Sequence, residues 1–236
     1  MDVAVCIPVR DSEAAAAITK NTVTWVLAAR TDLALVVVDN ASPCRDAVAF
    51  IRDLAGADRR LVLIENETNR GVGPAYNQGL AWGYQHGAAH FVCMNNDIEV
   101  DAAAAATWLP MLLQPLRAQP RQLVGVRLIP RNEMVDREGQ THPYLEGYCL
   151  AFARPFLDEV GYFDERFAPA WVEDVEICWR ATRHGYALTE VAVPLRHIGS
   201  QSHTGMPRDL ITLRNVWRLV DKARAGSDGR MGWPQG

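Results

Sequence analysis

Lysine is nearly absent from this chain of 236 residues: Lys20 and Lys222 are the only two, and arginine carries almost all the positive charge. The formal net charge is -4, so no basic excess points to a nucleic-acid partner. Cysteine is sparse and scattered: five residues (Cys6, Cys44, Cys93, Cys149, Cys178), with no CxxC pair. That pattern excludes a disulfide framework and a zinc site, and suits a reducing compartment. Cys6, Cys93 and Cys149 sit in apolar runs, where cysteine behaves as a small core residue. No apolar run approaches the length of a membrane span, and the first residues lack the basic region of a signal peptide. No GxGxxG follows the first apolar run, which disfavours a dinucleotide-dependent dehydrogenase. Internal repeats and linker-like stretches are also missing. What remains is an ordinary globular balance, 49% hydrophobic and 22% charged, which argues against disorder.

The apolar pattern predicts alternation of buried strands and helices. Strands are expected over 3–9, 33–39, 61–65 and 90–94, with helices over 12–29, 46–55 and 73–86 between them. Short apolar runs bounded by turn residues fit strands buried on both faces, and the alternation implies parallel pairing through right-handed crossovers. The Ala-rich stretch 101–116 reads as a helix capped by Asp101. Further strands are expected over 123–129, 145–153 and 186–194, and helices over 155–160 and 172–184, the latter stopped by Gly185. Residues 131–142 read as a polar loop. Residues 209–224 have helical periodicity through Leu210, Leu213, Val216 and Val220, and 226–236 read as a frayed tail. The expected organisation is one α/β domain over 1–225, with a nucleotide-binding half (1–100) and an acceptor-binding half (101–225).

Four polar clusters sit where such a fold binds ligands. Asp39 ends the second strand, where an acid accepts from a ribose hydroxyl or base N–H, or else simply caps the turn. The loop from Asn66 to Gly79 is rich in Gly and Asn; it is either a tight strand-to-helix turn or a cradle for phosphate or sugar. Asn95-Asn96-Asp97 with Glu99 follows the fourth strand and offers hard oxygen ligands suited to Mg²⁺ or Mn²⁺, or a capping turn. Glu173 and Asp174 open a helix, where capping explains them and where the helix dipole would also keep a catalytic carboxylate ionised. Trp171 before them is either a wall for a sugar face or a hydrophobic staple. His197 and His203 bracket a Gly/Ser loop in which an imidazole can meet a metal or a phosphate, or stay solvated.

Taken in order, these segments resemble the inverting glycosyltransferases of family 2, which have a GT-A fold. The matching segments are Ile7-Pro8-Val9-Arg10, Val37-Val38-Asp39-Asn40, Asn69-Arg70-Gly71 with Ala75-Tyr76-Asn77-Gln78-Gly79, Asn95-Asn96-Asp97, Gly161-Tyr162-Phe163-Asp164-Glu165, Glu173-Asp174-Val175-Glu176 and His197. They span residues 3 to about 220. The resemblance implies a Rossmann-like mixed sheet flanked by helices. It places Pro8, Val9, Arg10, Asp39, Asn69, Gly71, Asn77, Asn96 and Asp97 beside a nucleotide-sugar donor. Asp97 matches the last position of the family's metal motif, with Asn95 where the first Asp stands. His197 matches a histidine on the metal or diphosphate, Asp174 the catalytic base, and Trp171 with Glu173 the acceptor side.

The implied chemistry is a single displacement that moves a sugar from a nucleotide diphosphate to an acceptor hydroxyl with Mg²⁺ or Mn²⁺ as cofactor. The Asp39 and Asn69-Arg70-Gly71 segments look most like members that transfer rhamnose or related sugars to bacterial surface glycans. The acceptor is expected to be a glycan, a lipid-linked molecule or a small molecule. The expected location is cytoplasmic, with at most weak contact to the inner membrane face. Two competing expectations remain: a nucleotidyltransferase of related fold, and an inactive sugar- or nucleotide-binding module. The first would want a Gly/Arg/Lys-rich triphosphate loop after the first strand, which Arg10-Asp11-Ser12-Glu13 is not.

Overall fold

A computed structural model describes residues 1–130, 142–199 and 207–226. The expected loop 131–142 (except His142), His203 and nearly all of the expected tail lie outside the described residues.

The first half runs as the apolar pattern predicts: β1 (Val3–Val9), α1 (Glu13–Leu27), β2 (Leu33–Asn40), α2 (Asp46–Ala57), β3 (Leu61–Asn66), α3 (Val72–Gln85), β4 (His90–Met94) and β5 (Ile98–Val100). After a short 3₁₀ turn come α4 (Trp108–Ala118), β6 (Gln122–Gly125), β7 (Leu128–Ile129), β8 (Tyr144–Leu145), β9 (Cys149–Ala153), α5 (Arg154–Glu159), α6 (Glu173–Arg183), β10 (Ala187–Glu190), β11 (Leu195–His197) and α7 (Arg208–Arg224). The main sheet has seven strands in the order β10-β6-β9-β4-β1-β2-β3. β9 runs antiparallel to both neighbours and every other pairing is parallel, so the sheet is mixed.

The period of two along β1 divides the core. Val3, Val5, Ile7 and Val9 face a layer built from α1, α2 and α4. Ala4 and Cys6 face the other layer, with Tyr76 and Leu80 of α3, Phe156 of α5 and Ile177 of α6. Residues are small on this second face because α3 lies close. A Cβ on Gly83 would stand 2.5 Å from the Cβ of Ala4.

Four expectations need correction. The Ala run 102–106 is a 3₁₀ turn and not the start of α4, although Asp101 does cap it, accepting from the Ala103 N–H at 3.0 Å. The run 123–129 divides into β6 and β7. The run 145–153 breaks at 146–148, because Gly147 must pass close to Asp174. The stretch around His197 is a strand, β11, paired antiparallel to β5, and not a loop.

The largest surprise is α7. The helix forms as its periodicity predicts, but Leu210 and Leu213 are exposed along with Trp217, while Val216 packs on a core cluster with Phe167 and Trp179. The buried side of α7 carries Asn215 and Lys222 as well as Leu219 and Ala223. The reason is polar demand underneath. Lys222 reaches Asp164 at 2.8 Å and Glu176 at 2.6 Å, and Arg180 closes on Glu176 at 2.8 Å. All four are buried, so each charge is compensated.

Candidate active site

The carboxyl ends of β1, β2 and β4 open into one cleft of about 820 Å³. This is the edge of a sheet where open α/β folds bind ligands. Its lining carries Pro8, Val9, Arg10, Asn40 and Asn69, then Asn95, Asn96 and Asp97, and then Trp171, Glu173 and Asp174, together with His197. Sequence reasoning therefore brought together six of nine expected donor-side residues.

The other three, Asp39, Gly71 and Asn77, are not part of the lining. Asp39 is buried and fully engaged: it accepts from the Ser42 N–H at 3.0 Å and from Arg45 at 2.6 Å. The next residue, Asn40, faces the cleft and ties down its rim, donating to Asn69 at 2.9 Å and to the Gly71 carbonyl at 3.1 Å. Gly71 has φ of 97°, and a Cβ there would lie 2.8 Å from Ala168. Its glycine is needed for close passage of two loops. Asn77 is buried between α3 and the segment after α5, where it exchanges hydrogen bonds with the Phe163 backbone at 2.9 Å each way.

The Asn95-Asn96-Asp97 tip is held from behind. The Asn96 amide donates to Asp11 and to Thr19, both at 2.8 Å, and Thr22 donates to the Asn96 carbonyl at 2.8 Å. Asn96 thus acts as a latch as well as a lining residue. Burial pushes the Asp11 carboxyl up to about 6, against the hydrogen bonds from Thr19 and Asn96 and with the charges of Asp39 and Asp97 adding to the rise. On the cleft side, Tyr76 donates to Asn95 at 3.1 Å. The β5–β11 register sets His197 opposite Ile98, so its Nε2 lies 3.1 Å from Oδ1 of Asp97 and 3.2 Å from the Asn95 amide. Tyr148 stacks on the imidazole, with ring centroids 4.8 Å apart.

A divalent cation fits this pair. Two ligands at adjacent positions of an octahedral ion, each at about 2.1 Å, stand about 3 Å apart. Asp97 Oδ1 and His197 Nε2 have that spacing. No cluster of three or more His, Cys, Asp or Glu ligands exists among the described residues. The protein would supply two ligands, leaving the other positions to ligand phosphate and water, as is usual for Mg²⁺ and Mn²⁺ at diphosphates.

In the same cleft, Glu173 and Asp174 occupy the first turn of α6. Asp174 accepts from the Gly147 N–H at 3.0 Å and from the Val175 N–H at 2.9 Å. Gly147 must be glycine, since a Cβ there would fall 2.9 Å from the Cβ of Asp174. Glu173 is less well served: its Oε2 is buried and has no hydrogen-bond partner among the described residues. Burial pushes the Glu173 carboxyl up to about 8, with the Asp174 charge adding to the rise. Burial raises Asp174 too, against the backbone N–H groups that lower it. The expectation that the helix dipole keeps Asp174 low is therefore incomplete, because desolvation outweighs it. Asp174 thus has two N–H donors from its surroundings, while Glu173 Oε2 has none among the described residues.

Sequence reasoning missed Tyr144, Tyr148, Arg208 and Thr212, which also line the cleft. Tyr144 and Tyr148 flank the Gly147 break. Arg208 and Thr212 come from α7, whose approach to the cleft no local pattern announced.

Comparison with known proteins supplies the fold and the family. Polyprenol monophosphomannose synthase of Mycolicibacterium smegmatis is 25% identical over 194 residues, 72% of this chain and 70% of that protein. Among solved structures, the mannosyltransferase PcManGT from Pyrobaculum calidifontis, in complex with GDP-Man and Mn²⁺, superposes with a TM-score of 0.67 at 20% identity. That match covers 97% of this chain and 65% of the other. GalNAc-T7 with UDP, GalNAc and Mn²⁺ gives a TM-score of 0.68 at 16% identity, covering 93% of this chain and 48% of the other. The chain thus spans roughly half to two thirds of these solved structures, and at such identities they establish the fold, which is GT-A. The sequence model of glycosyl transferase family 2 matches residues 4–184. The chain belongs to glycosyl transferase family 2.

Proposed function

We propose that this protein is a metal-assisted, inverting hexosyltransferase that moves a sugar from a nucleotide-diphosphate donor to an acceptor hydroxyl. One observation carries the reading. The Asp97–His197 pair and the Glu173–Asp174 pair line the same cleft, so a diphosphate and an acceptor hydroxyl can meet within it.

The donor lies along Pro8, Val9, Arg10, Asn40 and Asn69. Arg10 brings a guanidinium whose Nε has no hydrogen-bond partner among the described residues, and so has an N–H left for the donor. Asp97 and His197 would hold the divalent cation, which when bound supplies Lewis-acid neutralisation of charge on the departing diphosphate. Asp174 accepts the proton of the acceptor hydroxyl as that oxygen attacks the anomeric carbon from the face opposite the leaving group. One displacement inverts the configuration. A carboxylate is basic enough because the hydroxyl becomes acidic only as the new bond forms. The Gly147 and Val175 N–H groups aim the carboxylate, and Trp171 walls the acceptor side.

GDP-mannose is the first donor to test, since PcManGT is a mannosyltransferase in complex with GDP-Man and the Mycolicibacterium smegmatis relative is a polyprenol monophosphomannose synthase. The rhamnose-type lean of the sequence gives the second donor class. A lipid-linked acceptor, met on the inner membrane face, is supported by the outer side of α7. There Leu210, Leu213 and Trp217 are exposed and Arg214, Arg218 and Arg224 lie alongside. Among the described residues no helix is long and apolar enough to cross a membrane.

A thermal-shift screen of nucleotide sugars with and without Mn²⁺ tests the reading. A ligand that binds the native state raises Tm with its occupancy. A Mn²⁺-dependent rise with one nucleotide sugar, and release of its nucleoside diphosphate, is the expected result. No shift with any nucleoside diphosphate would overturn it.

A further inference from the structure

Resting on that reading, we propose that Asn215 of α7 is a positioning residue for the transfer: it holds the backbone turn that delivers Glu173 and Asp174 to the cleft. The turn needs holding. Trp171 and Val172 are both left-handed, with φ of 69° and 76°. Neither residue favours this region, and for β-branched Val it is a genuine outlier. Such a residue persists only where the surroundings over-determine it. Glu173 and Asp174 follow directly as the first residues of α6, so a relaxed turn would swing both away from the cleft.

α7 provides the constraint. Asn215 is fully buried, and its amide nitrogen donates to the carbonyls of Phe167 at 2.7 Å, Ala170 at 3.0 Å and Trp171 at 2.9 Å. Its other end is equally defined: Oδ1 accepts from Arg214 and Arg218, each at 3.2 Å. Guanidinium donors on one side and carbonyl acceptors on the other fix which way the amide points. The same two arginines extend the clamp, Arg214 to the Ala168 carbonyl at 2.5 Å and Arg218 to the Arg166 carbonyl. Five carbonyls between 166 and 171 therefore meet donors from one helix, with the two N–H groups of Asn215 shared among three of them. A turn further along, Lys222 anchors that helix to Asp164 and Glu176, so the clamp has a fixed base.

Asn215→Asp separates positioning from folding. The side chain keeps its shape, and its carboxylate keeps Arg214 and Arg218, but it presents no donor to the three carbonyls. Leu219→Ala is the control: it thins the apolar cluster that α7 shares with Phe167 and Val172 but leaves every hydrogen bond from α7 to the turn in place. The measurement is steady-state release of nucleoside diphosphate from GDP-mannose and from the UDP- and dTDP-sugars, together with amide exchange over residues 167–175.

For Asn215→Asp, kcat should fall about tenfold or more while the donor KM and the affinity for nucleoside diphosphate stay within about twofold. Exchange over 167–175 should rise while β1 and β2 stay protected. Leu219→Ala, at an equal or larger loss of Tm, should keep its kcat. Wild-type kcat in Asn215→Asp, or an equal loss of kcat in Leu219→Ala, overturns the inference. If Asp174→Asn is inactive and Asn215→Asp is not, only the inference fails. If the wild-type protein turns over no nucleotide sugar, the functional reading fails and takes the inference with it.

Discussion

Nε2 of His197 lies 3.1 Å from Oδ1 of Asp97, although 100 residues separate them in sequence. The antiparallel β5–β11 pairing makes this contact, so it exists before any ion arrives. Losing even an outer-shell partner costs a metal site about 10–100-fold in affinity, and losing one of two protein ligands costs at least that. His197→Ala and Asp97→Asn should therefore both weaken Mn²⁺ binding to the protein–nucleoside diphosphate complex. Calorimetric titration of Mn²⁺ into that complex measures it. Unchanged affinity in His197→Ala would remove His197 from the ligand set.

Asp174→Asn keeps the side-chain size and loses the base. Its turnover should fall about 10²–10⁴-fold, the usual range for removing a general base. Affinity for the nucleotide should be preserved, because the donor wall is built from other elements. The check is a pair of measurements, nucleoside diphosphate release and nucleotide binding, on one preparation. An unimpaired variant would sink the base assignment.

Glu173 makes the fold sensitive to pH in a defined direction. Its carboxyl is raised from the ordinary 4.5 to about 8 by burial beside Asp174. Between those values the native state retains a proton that the unfolded chain has released. Its contribution to stability thus falls as pH rises through that window. Glu173→Gln cannot lose the proton. Its Tm relative to wild type should rise steadily from pH 5 to pH 8. A wild-type-minus-variant difference that does not change with pH would show that Glu173 does not titrate there.

Much of the site was legible because its chemistry follows buried-strand runs. Pro8-Val9-Arg10 and Asn95-Asn96-Asp97 directly follow strands or end them, and β1 and β4 are adjacent central strands whose carboxyl ends line the cleft. Asp39 also ends its strand, but the Ser42 turn and Arg45 use both its oxygens, and Asn40 takes the exposed place. Helix α7 forms where its periodicity puts it, and only the side it buries escaped the sequence, for a physical reason. Leu210, Leu213, Val216 and Val220 form the kind of stripe that usually faces a core. Asn215 and Lys222 do face it, because buried carbonyls and carboxylates await them 44 to 58 positions earlier in the chain. Local periodicity carries no information about such distant partners.

The Lys222 network predicts a stability defect without a direct effect on chemistry. Lys222→Met leaves buried Asp164 and Glu176 short of one cation, and breaking a buried pair costs about 3–5 kcal/mol. For a chain of this size that is on the order of 10 °C in Tm. The defect should shrink on the acid side. Burial alone would raise Asp164, but the hydrogen bonds from Arg166 and Lys222 hold it well below the carboxylate range. A depressed carboxyl contributes stability above its unfolded pKa, and that stability is lost as pH falls. Wild type should therefore lose its advantage over Lys222→Met as pH drops below about 4. Melting curves of both proteins at several pH values decide the point.

The outer face of α7 makes a prediction about the acceptor's surroundings. Leu210, Leu213 and Trp217 expose apolar surface beside Arg214, Arg218 and Arg224, and the same helix lends Arg208 and Thr212 to the cleft rim. A bilayer taking up this face would bring a lipid-linked acceptor to the cleft mouth. Charge should matter as much as apolar area, since each basic side chain near an anionic surface contributes about 1 kcal/mol. The protein should therefore float with vesicles containing phosphatidylglycerol and remain in solution with phosphatidylcholine alone. High salt should weaken the binding. Leu213→Glu combined with Trp217→Glu should abolish flotation while donor turnover in solution is unchanged. If the wild-type protein ignores anionic vesicles but forms a dimer that these substitutions dissociate, the face belongs to a second copy and the membrane reading falls.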